Sequence, residues 1–186
     1  MSDLVRAFLS IDIDDSLLLS KIEQIQQRLD QQAAKMKLVE INNIHFTLHF
    51  FGDTRQERIN EIRNQLGKIT VDPFEIGIEG VGAFPNIRRP RVVWIGVQKN
   101  WEQVRNLKLQ IDSLLEDIGY QPEKRKYTPH ATIARVRYVK DSSKVVDNLE
   151  ELVDESIGLM KISEFTMKKS ILTPKGPIYD TLWRIS

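Results

Sequence analysis

Two short strings in the sequence each place a histidine two residues before a threonine. The first is His45-Phe46-Thr47-Leu48 and the second is His130-Ala131-Thr132-Ile133, in a chain with three histidines in all. Side chains two apart on a β-strand point to the same face. Each string therefore presents an imidazole beside a hydroxyl, while the apolar residues between and after them point into the core.

Two imidazoles and two hydroxyls in one cleft suit displacement at phosphorus. Histidine has an ordinary pKa of about 6.5, so one neutral and one protonated ring can coexist near neutral pH. One ring would deprotonate the attacking group, the other would protonate the leaving oxygen, and Thr47 and Thr132 would bind the non-bridging phosphate oxygens. The strings therefore predict His45 and His130 as an acid–base pair that needs neither a metal nor a cofactor.

The third histidine, His49, allows more than one interpretation. On a regular strand it shares the face of His45 and Thr47, which suggests a substrate contact or a plain surface position. Three histidines could also bind zinc. Against zinc, each histidine of the pair is accompanied by a threonine, and no carboxylate nearby in sequence would orient a metal ligand.

Further candidates lie near the second string. Arg135 follows His130 by five residues, so on a regular strand it faces away from the cleft and needs a bulge or a strand end to reach it. Tyr127 could stack on a nucleobase or act as an ordinary strand aromatic. Two basic groups could contact a phosphate backbone or remain solvated loop charges: Arg88, Arg89 and Arg91, and Lys124, Arg125 and Lys126.

The elements that carry the two strings recur at one spacing. Arg6-Ala7-Phe8-Leu9-Ser10-Ile11 and Arg91-Val92-Val93-Trp94-Ile95-Gly96 each open a strand–helix–strand unit, and 39 residues separate each arginine from the histidine of its unit. Equal spacing with the same His-x-Thr-apolar ending predicts an internal duplication. We expect one domain, residues 1–186, made of two interleaved lobes whose repeat units are residues 6–68 and 91–153.

Hydrophobic periodicity outlines the elements of both units. Spacings of three and four predict helices over 18–29, 59–66, 101–118 and 145–152, the first of them capped by Asp14 or Asp15. Alternation predicts strands over 6–13, 44–51, 74–78, 91–97, 130–136, 162–172 and 178–185. Gly52 and Asp53 are expected to end the second strand, and residues 80–90 to form a loop.

Composition limits the class of protein. The chain has 186 residues, with 27 basic and 26 acidic side chains and a formal charge of +1, which argues against coating nucleic acid by bulk charge. The absence of cysteine excludes disulfides, thiolate metal sites and cysteine nucleophiles. The apolar stretch from Leu4 to Ile13 is too short to span a bilayer. We therefore expect a cytoplasmic protein without a membrane segment.

Several segments together resemble the two-histidine (2H) phosphoesterase superfamily. Within it, the chain is similar to the bacterial and archaeal RNA 2',3'-cyclic phosphodiesterases, long called 2'–5' RNA ligases. The resemblance extends from Arg6 to Tyr179. The segments that carry it are the two His-x-Thr strings, Arg6 to Asp12, Gly82 to Pro85, Pro90 to Trp94, and Ser170 to Tyr179.

The resemblance implies a bilobal α+β fold, with two pseudo-symmetric antiparallel sheets lining a central cleft and helices on the outer faces. It implies hydrolysis of a 2',3'-cyclic phosphate to a 2'-phosphate, with reversible 2'–5' joining of RNA ends as a side activity. It also implies that His45 donates a proton to the O3' leaving group and that His130 accepts one from water. Thr47 and Thr132 would bind the phosphate, and Arg135 matches an arginine common after the second string.

Two positions depart from the family pattern: His49 stands where lysine is frequent, and Ala131 is smaller than the usual leucine or isoleucine. The expected partners are RNA or tRNA fragments with 2',3'-cyclic phosphate ends, or cyclic nucleotides, acted on by a monomer. Two alternatives remain. The protein could bind RNA or tRNA without turnover, or it could be a 2H phosphodiesterase for another cyclic phosphate or a 2'–5' oligonucleotide.

Overall fold

A computed structural model describes residues 4–186, so residues 1–3 of the predicted domain lie outside the described part of the chain. A single 3₁₀ turn, Ile41–Asn43, precedes the third strand. The strands and helices follow one another as β1 (Leu4–Asp12), α1 (Ser16–Arg28), β2 (Ala34–Leu38), β3 (His45–Arg55), α2 (Gln56–Leu66), β4 (Phe74–Phe84), β5 (Val92–Lys99), α3 (Trp101–Glu116), β6 (His130–Val139), α4 (Ser142–Glu151), β7 (Ser156–Ile162), β8 (Phe165–Thr173) and β9 (Gly176–Ile185).

The strands form two antiparallel groups that meet at one residue pair. The first group has the order β9-β8-β1-β3, and the second has the order β6-β5-β4-β7, with β2 also paired to β6. Phe46 of β3 pairs with Ala131 of β6 and joins the groups into one sheet. The predicted α+β fold with antiparallel sheets is confirmed, and the two halves are continuous through this pair.

The helices cover the face of the sheet that is opposite to the cleft. Phe46 and Ala131 are both fully buried on that face. Helix α1 packs on β6 and β7, α2 packs on β3, and α3 packs on α2 and β4. The other face of β3 and β6 is left free where the two groups meet. That these halves derive from one duplicated unit stays a prediction.

Helix α1 begins and packs as its sequence predicts. The Asp15 carboxylate accepts hydrogen bonds from the backbone N–H groups of Leu17 at 2.9 Å and Leu18 at 3.0 Å, which satisfies two of the unpaired donors of the first turn. Its buried side chains lie at helical spacing, and one of them is polar: Leu18, Ile22, Ile25 and Gln26. Among the residues that the structure describes, no helix is long and apolar enough to cross a membrane.

Alternation alone does not predict all the strands. It misses β2, which has only five residues and two lysines, and β7, whose alternation is irregular. Strand β3 continues to Arg55 because Gly52, at a φ of 71°, is part of the strand rather than its end. Strand β4 reaches Phe84, inside the expected loop, because Gly82 leaves space for the indole of Trp94, which would lie only 2.3 Å from a Cβ there.

Strand β6 carries a β-bulge directly after its threonine. Trp94 of β5 pairs with Thr132, and Val93 pairs with Ala134, so Ile133 is an extra residue on β6. An extra residue reverses which face the following side chains occupy. Ile133 and Ala134 are accordingly both fully buried, although they are adjacent.

Strand β3 carries an equivalent bulge. Ser10 of β1 pairs with Thr47 and Leu9 pairs with His49, which leaves Leu48 as the extra residue. Leu48 and Ile133 occupy the same place in the two strings, immediately after the threonine. Each half therefore reverses its alternation at the same position.

Candidate active site

A cavity of about 140 Å³ opens on the free face where β3 meets β6. Both His-x-Thr strings contribute to it, so the structure brings His45, Thr47, His130 and Thr132 together as their spacing predicts. Arg135 lines the same cavity. The remaining walls come from the end of β2, from the segment between β2 and β3, and from the β8–β9 hairpin, and their side chains include Lys37, Asn43, Lys175 and Tyr179.

The register of the two central strands sets the relative positions of the histidines. Phe46 pairs with Ala131 in antiparallel order, and each histidine immediately precedes its member of this pair, so the two histidines lie on opposite sides of it. In a regular antiparallel ladder such diagonal positions have Cα atoms roughly 7–8 Å apart. Both rings and both threonines line the one cavity.

Both imidazoles are anchored in the same way. The Nδ1 atom of His45 lies 2.7 Å from the carbonyl oxygen of Asn43, and the Nδ1 atom of His130 lies 2.7 Å from that of Thr128. A carbonyl oxygen only accepts hydrogen bonds, so Nδ1 carries the hydrogen in both rings. Each Nε2 is then left for the cavity, and that of His45 lies 3.1 Å from the Thr47 hydroxyl.

The surroundings of the two rings differ. His45 packs between Phe8, at 4.9 Å between ring centroids, and Tyr179, at 5.4 Å. His130 contacts the edge of Phe84 at 4.9 Å, and its hydrogen bond to the backbone lies in exposed surroundings. The hydrogen bond of His45 is partly buried. The His130 side of the cavity is therefore the more open to water.

Burial lowers the pKa of His45 below its ordinary value of 6.5. The hydrogen bond to Asn43 and the negative charge of Asp12 act in the opposite direction, and the positive charges of Lys168 and Arg135 lower the pKa further. Lys168 lies 2.8 Å from the Asp12 carboxylate, which weakens the effect of that charge on the ring. In the unliganded protein the neutral ring is thus favoured near neutral pH.

We expect an NMR pH titration to place the His45 midpoint below 6.5, and Arg135→Ala to raise it because a nearby positive charge is removed. The pKa of His45 is lower in the folded state than in the unfolded state, so its contribution to stability is fully present above the unfolded-state pKa. That contribution is lost as the pH falls from the unfolded-state pKa through the folded-state pKa. Inorganic phosphate should also raise the midpoint, since an anion favours imidazolium. A midpoint above the ordinary value without ligand would contradict the buried environment.

Arg135 reaches the cavity because of the bulge at Ile133. A regular strand would turn Arg135 away from the face of His130, and the extra residue brings it back. From the sequence, Arg135 can reach the cleft only through a bulge or a strand end, and the structure has the bulge. Adjacent buried positions at Ile133 and Ala134 are the local signal of the bulge.

The predicted cleft position of His49 is wrong. The bulge at Leu48 turns this side chain to the opposite face, where it is 7% exposed and packs on Phe51 with ring centroids 4.5 Å apart. Its Nδ1 lies 3.5 Å from the Asp112 carboxylate of α3. The three histidines do not form one group, and residues 4–186 contain no cluster of three or more potential metal ligands. His49 belongs to the packing of α3 on β3.

The Asp112 carboxylate, on that opposite face, contacts the Lys108 ammonium and the His49 ring. Burial alone would raise the pKa of Asp112, but its contacts with His49 and with the buried Lys108 outweigh this and lower the pKa. The group is therefore ionised at neutral pH and remote from the cavity. We infer that this cluster contributes to packing.

Tyr127 does not stack in the cavity, which corrects the interpretation of this residue as a base platform. Its hydroxyl donates a hydrogen bond of 3.0 Å to the carbonyl oxygen of Thr47. Burial is the main cause that raises the pKa of this phenol. Tyr127 therefore supports the backbone of β3 from outside the cavity. The two basic groups noted in the sequence also lie outside the cavity lining.

Sequence reasoning missed the residues that close the far wall. The Lys37 ammonium donates to the carbonyl oxygen of Lys175 at 2.8 Å, and the Asn43 amide donates to that of Pro177 at 2.9 Å. These contacts tie the β8–β9 hairpin to the segment before β3 across more than 130 residues of chain. No local pattern announces them. Tyr179 had a weak signal, because it ends a segment that carries the family resemblance.

Comparison with known proteins identifies relatives over most of the chain. The family model described as "LigT like Phosphoesterase" matches residues 13–94 and again residues 95–179. A protein of Methanothermobacter thermautotrophicus named RNA 2',3'-cyclic phosphodiesterase is 41% identical over 177 residues, covering 94% of this chain and 95% of its own. One of the same name from Archaeoglobus fulgidus is 39% identical over 178 residues, covering 96% and 98%.

Solved structures share the fold. E. coli LigT, in a crystal structure with 3'-AMP, superposes with a TM-score of 0.77 at 22% identity, over 97% of each chain. TT0787 of Thermus thermophilus gives 0.76 at 22% identity, also over 97% of each chain. At this identity the likeness shows the fold alone.

Two antiparallel halves that each bring a His-x-Thr string to one cavity define a two-histidine phosphoesterase. The matches over most of the chain identify the branch: the protein belongs to the LigT-like phosphoesterase family.

Proposed function

We propose that the protein hydrolyses the 2',3'-cyclic phosphate at the end of an RNA and leaves a 2'-phosphate and a free 3'-hydroxyl. The observation that carries this proposal is the matched anchoring of the two imidazoles. Both Nδ1 atoms lie 2.7 Å from a backbone carbonyl oxygen two residues earlier, and both rings line one cavity. Curated relatives that match over most of their length are named for this activity.

In the proposed reaction, water attacks the phosphorus from the side opposite the O3' leaving group. His130 accepts a proton from the attacking water through Nε2, and a new P–O bond forms. The P–O3' bond breaks, and His45 donates a proton to O3'. Each proton transfer of this kind typically contributes a factor of about 10²–10⁴ to the rate.

The surroundings of the rings favour this assignment of donor and acceptor over the reverse. Water must enter from the open side, which is the side of His130, whereas His45 is enclosed by Phe8 and Tyr179. A buried His45 with a lowered pKa is a strong acid once it is protonated. An anionic phosphate beside the ring favours protonation, because opposite charges stabilise the imidazolium. The donor form is therefore produced when substrate binds.

The remaining cavity groups are proposed to hold the phosphate. Thr47 and Thr132 donate hydroxyl hydrogens to its non-bridging oxygens, and Arg135 adds a positive charge with several N–H donors. Charge increases on these oxygens as water adds, so donors fixed around them stabilise the transition state.

The same geometry can run with an alcohol in place of water. If the 5'-hydroxyl of a second RNA occupies the attacking position, His130 accepts its proton and a new P–O5' bond forms. The P–O3' bond breaks, His45 donates a proton to O3', and the product is a 2'–5' phosphodiester. The reverse reaction uses the two histidines in exchanged roles. We propose this joining as a side activity, because water is present at a far higher concentration than the 5'-hydroxyl of a second RNA.

Product analysis in the presence of EDTA tests the proposal. We expect purified protein to open 2',3'-cyclic AMP and an RNA with a 2',3'-cyclic phosphate end, with 2'-phosphate as the product and no loss of rate in EDTA, because the two imidazoles perform both proton transfers. Tight RNA binding with no product would favour a binding protein. Turnover of only a different cyclic phosphate or of 2'–5' oligonucleotides would change the substrate, and loss of rate in EDTA would restore a metal mechanism.

Cytoplasmic location and a monomeric state remain predictions.

A further inference from the structure

Gln26 is a buried amide on an otherwise apolar face of α1. Its side chain is 4% exposed. Its Nε2 donates one hydrogen bond of 2.8 Å to the carbonyl oxygen of Val39 and a second of 2.8 Å to that of Ile133. Both amide hydrogens are therefore hydrogen-bonded. One is donated to Val39, which lines the cavity, and the other to Ile133 in the strand that carries His130. A polar group buried to this degree is retained only where its hydrogen bonds are made.

The carbonyl that Gln26 binds in β6 belongs to the bulged residue. Ile133 is the extra residue between the pairs made by Thr132 and Ala134. A bulge disrupts the regular ladder, so its backbone groups need other partners. The Ile133 carbonyl has two: the amide of Gln26 and the backbone N–H of Val39 at 2.9 Å.

The bulge decides whether Arg135 enters the cavity. Without the extra residue at 133, the alternation of β6 would turn Arg135 to the opposite face. The Gln26 amide also fixes the carbonyl group of Val39, and Lys37, two residues before Val39, pairs with Arg135 across β2 and β6. One side chain on the back of the sheet thus contacts both backbone segments that frame the arginine.

The other half of the chain provides an internal comparison. The interval of 85 residues that separates His45 from His130 also separates Gln26 from Ile111, which is fully buried and apolar. The bulge at Leu48 is followed on the cavity side by Phe50, which is 50% exposed. The buried amide therefore contacts the bulge that delivers a charged side chain, the one at Ile133.

We propose that Gln26 is a positioning residue: its amide fixes the bulge at Ile133 and thereby holds Arg135 against the phosphate. This role rests on the proposed function insofar as the bound group is a phosphate. Gln26 does not touch substrate, and it acts through the arginine. An amide suits this position because its single Nε2 atom donates to the carbonyl oxygens of both Val39 and Ile133.

The test compares Gln26→Met with Ile22→Val. Methionine keeps the length and apolar stem of glutamine but cannot donate a hydrogen bond. Ile22 lies one turn earlier on the same buried face, so its shortening loosens α1 without altering the bulge. The measurements are the affinity for inorganic phosphate by calorimetry, the KM and kcat for 2',3'-cyclic AMP, and the Nε–Hε NMR signal of Arg135, assigned with Arg135→Lys.

We expect Gln26→Met to weaken phosphate affinity and raise KM roughly tenfold, as loss of one contact to a charged group does, and to shift or broaden the Arg135 signal. Ile22→Val should lower the melting temperature and leave all three readouts unchanged. In an Arg135→Ala background, Gln26→Met should have no further effect on phosphate affinity, since the residue through which it acts is absent.

An unchanged Arg135 signal in Gln26→Met would overturn the proposal, and so would an equal loss of phosphate affinity in both backgrounds. The NMR signal needs no turnover. A protein that fails to hydrolyse cyclic phosphates but shows the shifted signal would refute the proposed function and retain the positioning role.

Discussion

Replacing either His45 or His130 with alanine should reduce kcat for a 2',3'-cyclic phosphate by roughly 10²–10⁴-fold, because each variant removes one proton transfer. Both rings line the cavity, and neither is fully buried, so the fold should persist. The double variant should lose far less than the product of the two single losses, since residues that act as a unit are not additive. Steady-state kinetics with circular dichroism as a check on folding measures this.

His49→Gln is the matched control for the two catalytic substitutions. It removes the same side chain from the same strand, four residues after His45, but on the opposite face beside Asp112. We expect this variant to lose stability through the lost contact with α3 and to retain most of its turnover at temperatures where it is folded. A His45→Ala or His130→Ala variant as active as His49→Gln would refute the acid–base pair.

Arg135→Ala should lower kcat/KM for the same substrate by roughly 10- to 150-fold. A hydrogen bond to a charged group contributes about 1.5–3 kcal/mol, and 1.4 kcal/mol corresponds to a factor of ten. Arg135→Lys should recover only part of the loss, because an ammonium keeps the charge but not the planar set of N–H donors. Both the affinity for inorganic phosphate and the rate of hydrolysis report the change.

Arg137→Ala provides the comparison for Arg135→Ala. Arg137 is an exposed arginine two residues further along β6, and it lies outside the cavity lining. It controls for the loss of a positive charge on this strand. If both alanine variants reduce kcat/KM equally, the effect of Arg135 is long-range electrostatics rather than contact with the phosphate. A difference that persists at high salt supports contact, since screening weakens only the long-range effect.

Periodicity predicted the helices well and the strands less well. Helix α1 was predicted with its cap and stripe because both signals lie within a few residues of each other. Alternation does not predict strands β2 and β7, and the sequence predicts a loop for the residues of β4 from Gly80 to Phe84. Glycine in a strand suggests a turn when it is considered alone, whereas Gly82 is there because a neighbouring indole needs the space. The reason for this glycine therefore lies in the neighbouring strand β5, which carries Trp94.

The error at His49 and the open question at Arg135 had one physical cause. Both residues lie just beyond a bulge, and a single extra residue reverses the facing of everything after it. Parity therefore placed His49 in the cleft and Arg135 outside it, and the structure reverses both. At each bulge two consecutive residues are buried: Leu48 with His49, and Ile133 with Ala134. This is the local sign of the bulges. A bulge is decided by pairing with another strand, which short-range patterns do not contain.

The amino-acid sequence by itself determined the residues from which the proposed chemistry follows: two histidines, each two residues before a threonine, in two similar strings of a chain without cysteine. It could do so because strand periodicity is a local property and the ordinary pKa of an imidazole belongs to the residue type. Only the tertiary structure decided that the two strings meet in one cavity, with Arg135 inside it, His49 outside, and His45 in drier surroundings than His130. Distance, burial and register arise when segments far apart in the chain pack together, so they cannot be read from either segment alone.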